Sequence, residues 1–564
     1  MSQIKIFALG GLDENGKNMY CIDVNNKLFI VNCGLKRPED KQFGVECIIP
    51  DFSYVIENQD RVAGVIITHF HDDMMLALPY LLRQLKVDVY APNLYALIIK
   101  EELRKEKISS IKVHTLPRYG EVSIKGTKVN TFGLSHAAPD AIGVAINTDM
   151  GSVVICEQFV VDFDMNDKAY QSDIAEIAAV GKKGVFAALL ESSYADKEGF
   201  TSPKHRISNL VRPVFEDAKG RIIVTLYQQN YFRLRELIEI AKDNKRKIYF
   251  YDEDMSNRIK MLSDNGYYHI NESMLISKKQ FTNSIEDCVI FVTGEGSETF
   301  QRMHKISIGE DKDVDLRDDD TIIIASPVVS GTEKAAGDME NELYKENVRI
   351  VKLDPKQVLS MHPSSEDLKM FLFLLKPQYF IPVMGSYRDF ISAANLSLTV
   401  GFTPDKVVIL DNGQVAQFDD GRLSTCSYSI DKVGDTMISS QDNKNIASFV
   451  LKDRESLSTD GVIIVGVAIN YKTKEVIGGP DIQSRGVIYV KDSEYVIKSI
   501  GKMTVDLINE AVKNGTYENM TVRTELKERI SRYVLRETGK HPMILPAIIE
   551  ININRWFKWV LKEK

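Results

Sequence analysis

Thr68-His69-Phe70-His71-Asp72-Asp73-Met74 decides the reading of this chain, because two histidines and an aspartate on alternate residues form a candidate metal motif that closes on a thioether. Before it, Val65-Ile66-Ile67 is a β-branched strand signal, and after it Met75-Leu76-Ala77-Leu78-Pro79-Tyr80-Leu81-Leu82 reads as the start of an apolar helix. The motif is therefore expected at the C-terminal end of a strand. In an extended or loop conformation His69, His71 and Asp73 fall on alternate residues and can converge on one side, where imidazole nitrogens and a carboxylate oxygen suit Zn²⁺ or Mn²⁺. Ordinary loop polarity is the competing reading.

The surrounding chain is that of a folded protein. Its 564 residues are enough for about three or four domains. A composition 44% hydrophobic and 27% charged, without a low-complexity tract, excludes a disordered or fibrous class. The longest apolar stretch, around Val462 to Ile469, is far short of the roughly 18 residues a membrane span needs. No charged segment followed by an apolar one opens the chain, so a cytoplasmic protein is expected, with no membrane among its partners. The six cysteines, Cys21, Cys33, Cys47, Cys156, Cys288 and Cys426, show no metal-type spacing and are expected as reduced, buried thiols. A formal net charge of −8 gives no support to generic nucleic-acid binding, although a local basic channel is compatible with it. The candidate is Lys204 to Lys247, with Arg206, Arg212, Lys219, Arg221, Arg233, Arg235, Lys242, Lys245 and Arg246; solvated helix faces are the alternative.

Residues 1–205 alternate strand and helix signals, as in Lys27-Leu28-Phe29-Ile30-Val31 and the segment around Val65, which predicts a layered α/β domain. Gly133-Leu134-Ser135-His136 followed by Gly143-Val144-Ala145-Ile146 supplies a further loop and strand. From 206 to 361, strands such as Arg221-Ile222-Ile223-Val224 and Cys288-Val289-Ile290-Phe291-Val292 alternate with helical runs such as Phe232 to Lys242, predicting a second α/β domain. The acidic run Gly309 to Asp320 is expected as a solvated loop, polar residues from Asp431 to Asp460 as a connector with its linker at 444–460, and 461–564 as a small α/β unit.

His69-x-His71-x-Asp73 resembles the His-x-His-x-Asp-His signature of the metallo-β-lactamase fold, and its flanks resemble ribonuclease J of the β-CASP branch. Further stretches carry the same likeness: Gly10-Gly11-Leu12-Asp13-Glu14-Asn15-Gly16-Lys17-Asn18-Met19-Tyr20, Gly34-Leu35-Lys36-Arg37-Pro38-Glu39-Asp40, Lys376-Pro377-Gln378-Tyr379-Phe380-Ile381-Pro382-Val383, Gly479-Pro480-Asp481-Ile482 with Ser484-Arg485-Gly486, and Pro542-Met543-Ile544-Leu545-Pro546. The matches run in order over nearly the whole chain. The resemblance implies an α/β fold: a metallo-β-lactamase αββα sandwich, a β-CASP domain inserted at 206–361, a return at 362–443 that completes the sandwich, and a small C-terminal α/β domain that assists dimerisation.

In that family two metal ions bind the water or hydroxide that attacks an RNA phosphodiester. The resemblance carries over His69, His71 and His136 as ligands of one ion and Asp73 as a ligand of the other. The second ion's histidine is here Met74, whose neutral, soft thioether is a poor ligand for Zn²⁺, Mn²⁺ or Mg²⁺. The bridging aspartate of a Thr-Gly-Asp-Phe segment falls on Gln158 in Cys156-Glu157-Gln158-Phe159, and the histidine of Pro-Val-His-Gly on Met384. Two dications about 3.5 Å apart repel by on the order of 20 kcal/mol even at an effective dielectric of 20, so each missing anion matters. Asn32 replaces the aspartate of Asp-Ala-Gly, Val358 the first histidine of His-Val-Ser-Gly-His, and Tyr227-Gln228-Gln229-Asn230 stands for Phe-Ala-Ser-Asn. A register shift would bring Glu157 to the bridge, although strand alternation points it away.

The resemblance thus implies a ribonuclease J-family protein of RNA processing and mRNA decay that is catalytically weak or inactive. It is most like the degenerate second paralogue of Gram-positive bacteria, acting on RNA beside an active ribonuclease J paralogue in a homo- or hetero-dimer or tetramer. None or one Zn²⁺ or Mn²⁺ per chain is expected, held by His69, His71, Asp73 and His136. Asp73 and His362 remain as catalytic remnants, and Ser360, His362, Ser364 and Asn230 as RNA or phosphate contacts. An active metal-dependent 5′–3′ exoribonuclease or endoribonuclease is the alternative, and a protein scaffold that has lost RNA binding a third.

Overall fold

The computed structural model describes residues 3–38, 42, 44–329, 331–354, 356, 358–439, 448–487 and 494–552. Glu39 and Asp40 of the Gly34–Asp40 motif, residues 444–447 of the expected linker and residues 553–564 lie outside them. The chain divides into two units: Met1–Arg37 with Cys47–Thr436, and Pro38–Glu46 with Met437–Lys564.

Two facing sheets build the metallo-β-lactamase sandwich in the first unit. The eight-stranded sheet runs Arg422–Tyr428, Gln414–Asp419, Gln3–Gly10, Met19–Val24, Lys27–Val31, Val62–Ile66, Val89–Pro92 and Val113–Leu116. The six-stranded sheet runs Tyr379–Val383, Val185–Glu191, Gly151–Cys156, Ile142–Thr148, Thr127–Gly133 and Gly120–Ile124. Ile4, Ile6, Phe29 and Val31 of one sheet and Val144, Ile146, Val153, Ile155, Phe186 and Leu189 of the other form one buried cluster. A second cluster covers the outside of the six-stranded sheet, where Ile177, Leu368, Phe371 and Leu372 come from the helices Ile174–Lys183 and Ser365–Leu375. Every residue of Val185–Glu191 is buried, because its strand is flanked by parallel partners and covered on both faces.

The late return is visible in the pairing. Tyr379–Val383 lies parallel to Val185–Glu191 with Ala187 opposite Tyr379 and Glu191 opposite Val383. Between these strands the chain forms the inserted domain, a wholly parallel sheet ordered Leu275–Ile276, Lys247–Phe250, Cys288–Gly294, Ile222–Tyr227, Thr321–Ile324 and Arg349–Lys352. Its core draws Ile223, Ile290, Val292 and Ile322 against Phe300 and Met303 of the helix Ser297–Ser307 and Met339 and Leu343 of the helix Glu333–Leu343.

Several local expectations are corrected. The apolar helix after the metal motif is two short helices, Asp72–Met75 and Leu78–Leu82; the second has Pro79 in its first turn, where proline's missing N–H costs nothing. The acidic run is not simply solvated: Asp320 is buried and grips the fully buried Arg221, whose guanidinium also donates to the Asp315 carbonyl at 2.6 Å. That pair also removes Arg221 from any basic channel. Arg206 is paired with Asp162, Arg212 with Asp243 and Arg235 with Glu239, while buried Arg233 and Arg246 donate to backbone carbonyls. Each of these arginines is thus paired with a carboxylate or a backbone carbonyl. Five of the cysteines are buried, as the composition led one to expect, but Cys426 is exposed.

In the second unit, Val462–Asn470 pairs antiparallel with Val476–Arg485 and parallel with Met543–Ile551. The helices Glu494–Lys513 and Asn519–Thr538 cover one face, placing Ile500, Leu507, Leu526 and Ile530 against Ile463, Val465, Val467 and Ile469. The stretch read as a connector contains a helix at Ser448–Thr459. Among the described residues no helix is long and apolar enough to cross a membrane.

Candidate metal centre

The centre forms where the edge of the strand Val62–Ile66 hands over to the helix Asp72–Met75, and the backbone of residues 33–35 clamps that turn in place. Cys33 N–H donates to the Met74 carbonyl at 2.7 Å, Leu35 N–H to Asp72 at 2.9 Å, and Asn18 N–H to Asp73 at 3.0 Å. Gly34 is required by this approach, since a Cβ there would stand 1.6 Å from the Asp73 carbonyl oxygen.

Three of the residues singled out in the sequence come together. A nitrogen from each of His69, His71 and His136 lies within 4.8 Å of the others, and their ring centroids are 4.4 to 5.4 Å apart. Nitrogens held about 2.0–2.1 Å from a tetrahedral ion stand roughly 3.3 Å apart, a separation that lies inside the triad's bound. Burial, reinforced by the neighbouring imidazoles, holds His69 and His71 well below the ordinary histidine range; burial takes His136 to about 4. All three are therefore neutral at pH 7, the form that ligates. The Nε2 atoms of His69 and His71 are buried with no hydrogen-bond partner among the described residues. That donor set fits one divalent transition ion.

The same test fails for a second ion. Met74 is fully buried, and its Sδ accepts from the Asn32 amide at 3.5 Å. Gln158 turns its amide into the centre: Oε1 accepts from His136 Nε2 at 3.0 Å, and Nε2 faces Asp73 Oδ2 at 3.4 Å. Met384 is buried, and Ser192 N–H donates to its carbonyl at 3.3 Å. Two thioethers and an amide leave Asp73 as the one anionic donor among these positions, too little negative charge to hold a second dication beside a first. Asp73 itself accepts from Asn18 Nδ2 at 3.0 Å, and burial, with Asp72 adding to it, pushes its carboxyl up to about 7.

Asn32, Gln158 and Met384 stand at φ values of 63°, 49° and 51°. Left-handed backbone suits asparagine and aspartate better than glutamine or methionine, so Gln158 and Met384 hold a conformation that their residue types rarely adopt.

The residues expected to contact phosphate are divided. His362 is at the centre's edge, its Nδ1 2.6 Å from Glu191 Oε1, with the Tyr194 ring centroid 4.9 Å away; against burial, the Glu191 carboxylate holds its pKa above the ordinary value. Ser360 adjoins it, its carbonyl accepting from His362 N–H at 2.9 Å. Ser364 is fully buried, its hydroxyl 2.8 Å from that of Thr201 and its residue capping the helix Ser365–Leu375. Asn230 caps the helix Tyr231–Asp243, Oδ1 accepting from Arg233 N–H at 3.0 Å. The side-chain oxygens of Ser364 and Asn230 are thus already engaged within the fold.

Sequence reading missed Glu191, a fully buried carboxylate that accepts from both Gln158 N–H and His362. Its one signal is an acid closing the apolar run Val185-Phe186-Ala187-Ala188-Leu189-Leu190.

Sheet order and donor set together define a metallo-β-lactamase fold carrying an inserted β-CASP domain. A family model for the ribonuclease J β-CASP domain matches residues 219–343, and one for the ribonuclease J C-terminal domain matches 449–551. The curated protein Ribonuclease J 2 of Staphylococcus epidermidis is 30% identical over 550 residues, spanning 97% of this chain and 98% of that one. Proteins of the same name from Staphylococcus saprophyticus and Staphylococcus aureus are 29% identical over the same shares. The chain belongs to the ribonuclease J family.

Proposed function

We propose that this chain is a catalytically weak or inactive ribonuclease J-family protein of RNA processing and mRNA decay, acting in the cytoplasm as an RNA-binding or structural subunit beside an active paralogue. The observation that carries the reading is the Gln158 amide, which sits between His136 and Asp73 where two-ion chemistry needs an anion. The relatives' printed name, Ribonuclease J 2, agrees with a second member of the family.

On this reading the sandwich comprises 1–205 and 362–443, the β-CASP domain 206–361, the linker 444–460 and a dimerising domain 461–564. His69, His71 and His136 hold no ion or one Zn²⁺ or Mn²⁺, with Asp73 and His362 as remnants of the machinery. A single ion, when bound, supplies Lewis acidity toward a phosphate oxygen. Glu191 orients His362 and favours its protonated form, which faces a phosphate as a donor alongside Ser360.

The test is digestion of a 5′-monophosphorylated RNA by the purified chain with added Mn²⁺ or Mg²⁺, together with RNA affinity as a function of salt. Salt-dependent binding without cleavage supports the proposal. Sustained cleavage that vanishes in the His69→Ala variant returns the chain to the active enzymes, and absence of RNA binding leaves a protein scaffold.

A further inference from the structure

The hydrogen bonds around His136 point in a definite order. Its Nδ1 lies 2.8 Å from the Ala138 N–H, which donates to it, so the ring proton resides on Nε2 and is donated to Gln158 Oε1 at 3.0 Å. The other end of the Gln158 amide is placed by Asp73, with Nε2 3.4 Å from Asp73 Oδ2. Its backbone is anchored as well, with the N–H donating to buried Glu191. His136 therefore presents a proton where His69 and His71 present bare, unpartnered Nε2 atoms.

The Ala138 carbonyl offers Nδ1 a second partner. Nδ1 is 3.3 Å from the Ala138 carbonyl, so a small rotation allows it to donate there with its proton moved from Nε2. In that arrangement Nε2 is free and all three imidazoles face the centre as ligands.

We propose that Gln158 is a latch on the histidine triad: its amide holds His136 in the tautomer that does not ligate, and one transition ion enters when the amide withdraws. The latch deepens the one-ion reading given above and rests on it. Gln158 thereby engages His136 and faces Asp73 when no ion is bound, while His69 and His71 keep their Nε2 atoms unpartnered.

Two variants test this in the full-length chain. Gln158→Gly suits the positive φ and removes the amide; Gln158→Asn also suits it and stops a methylene short of His136. Chelator-treated protein is titrated with Co²⁺ alone, following the visible absorption of the tetrahedral ion, and unfolding is measured before and after loading. The expected result is that both variants bind Co²⁺ about tenfold or more tightly than the parent, that His136→Ala cancels the gain, and that loading raises the Tm of the variants more than that of the parent. Equal Co²⁺ affinity in parent and folded variants overturns the latch, as does a gain that survives His136→Ala. Failure of the functional reading looks different: the parent itself then carries two ions and cleaves RNA, whatever Gln158 does.

Discussion

Asn32 donates its side-chain amide to the Glu157 carboxylate, and its own oxygen accepts from the N–H and hydroxyl of Thr68 at 3.0 and 3.1 Å. The Thr68 hydroxyl lies 2.9 Å from His69 Nδ1, so the pair stands behind the first ligand and not in front of it. Neighbouring residues at the end of a strand face opposite ways, and it is Gln158 that faces the triad. Glu157 thus faces Asn32 and Thr68. Burial, with Asp73 and Glu191 adding to it, pushes its carboxyl well above the usual range.

Glu157→Gln is therefore expected to leave metal content unchanged, because the acid holds Asn32 and Thr68 and no ion. Elemental analysis of the loaded variant against its parent is the check. A fall in occupancy would put Glu157 in the bridge after all.

Asp73 gives the pH dependence. Its carboxyl is raised from 3.8 to about 7 by burial and then by Asp72. The folded chain thus binds this proton more tightly than the unfolded one, and the associated stability is complete below about pH 4 and lost as pH rises through 7. Asp73→Asn removes the penalty: in chelated protein the variant should match its parent near pH 4 and exceed it by a few kcal/mol, in order of magnitude, at pH 8. Parallel denaturation curves at both pH values would refute the assignment.

Gly34→Ala is expected to be severe. The added Cβ would meet the Asp73 carbonyl at 1.6 Å, and neither backbone segment has room to yield without moving the Asp72–Met75 helix. Destabilisation of about 2 kcal/mol or more is expected, accompanied by weaker Co²⁺ binding, whereas a folded variant with unchanged affinity would show that the clamp does not position the ligands.

What the sequence disclosed follows from what is local. Strand periodicity and His69-x-His71 are short-range signals, and they placed the motif at the end of a buried strand, where it is found. The return of Tyr379–Val383 beside Val185–Glu191 is a pairing between distant segments with no local mark, and only the family resemblance anticipated it. The basic run left two readings open for a related reason. Arg206 to Arg246 reads as a basic surface until the acids that neutralise it, Asp162 and Asp320 among them, arrive from elsewhere in the chain. Glu191 was overlooked because a single acid ending an apolar strand has no periodic signature.

On the one-ion proposal, a second ion needs the three positions together. Met74→His, Gln158→Asp and Met384→His in one chain should raise metal occupancy more than any one of them, since they share a single site and their effects are coupled. If the triple variant carries no more metal than its parent, these positions do not limit the number of ions the chain holds.

The most direct measurement is the metal content of the parent, purified without chelator, by elemental mass spectrometry alongside incubation with 5′-monophosphorylated RNA. A centre in which Gln158, Met74 and Met384 stand at ligand positions should carry at most one ion per chain and leave the RNA uncut. Two ions per chain with clear cleavage would contradict the account.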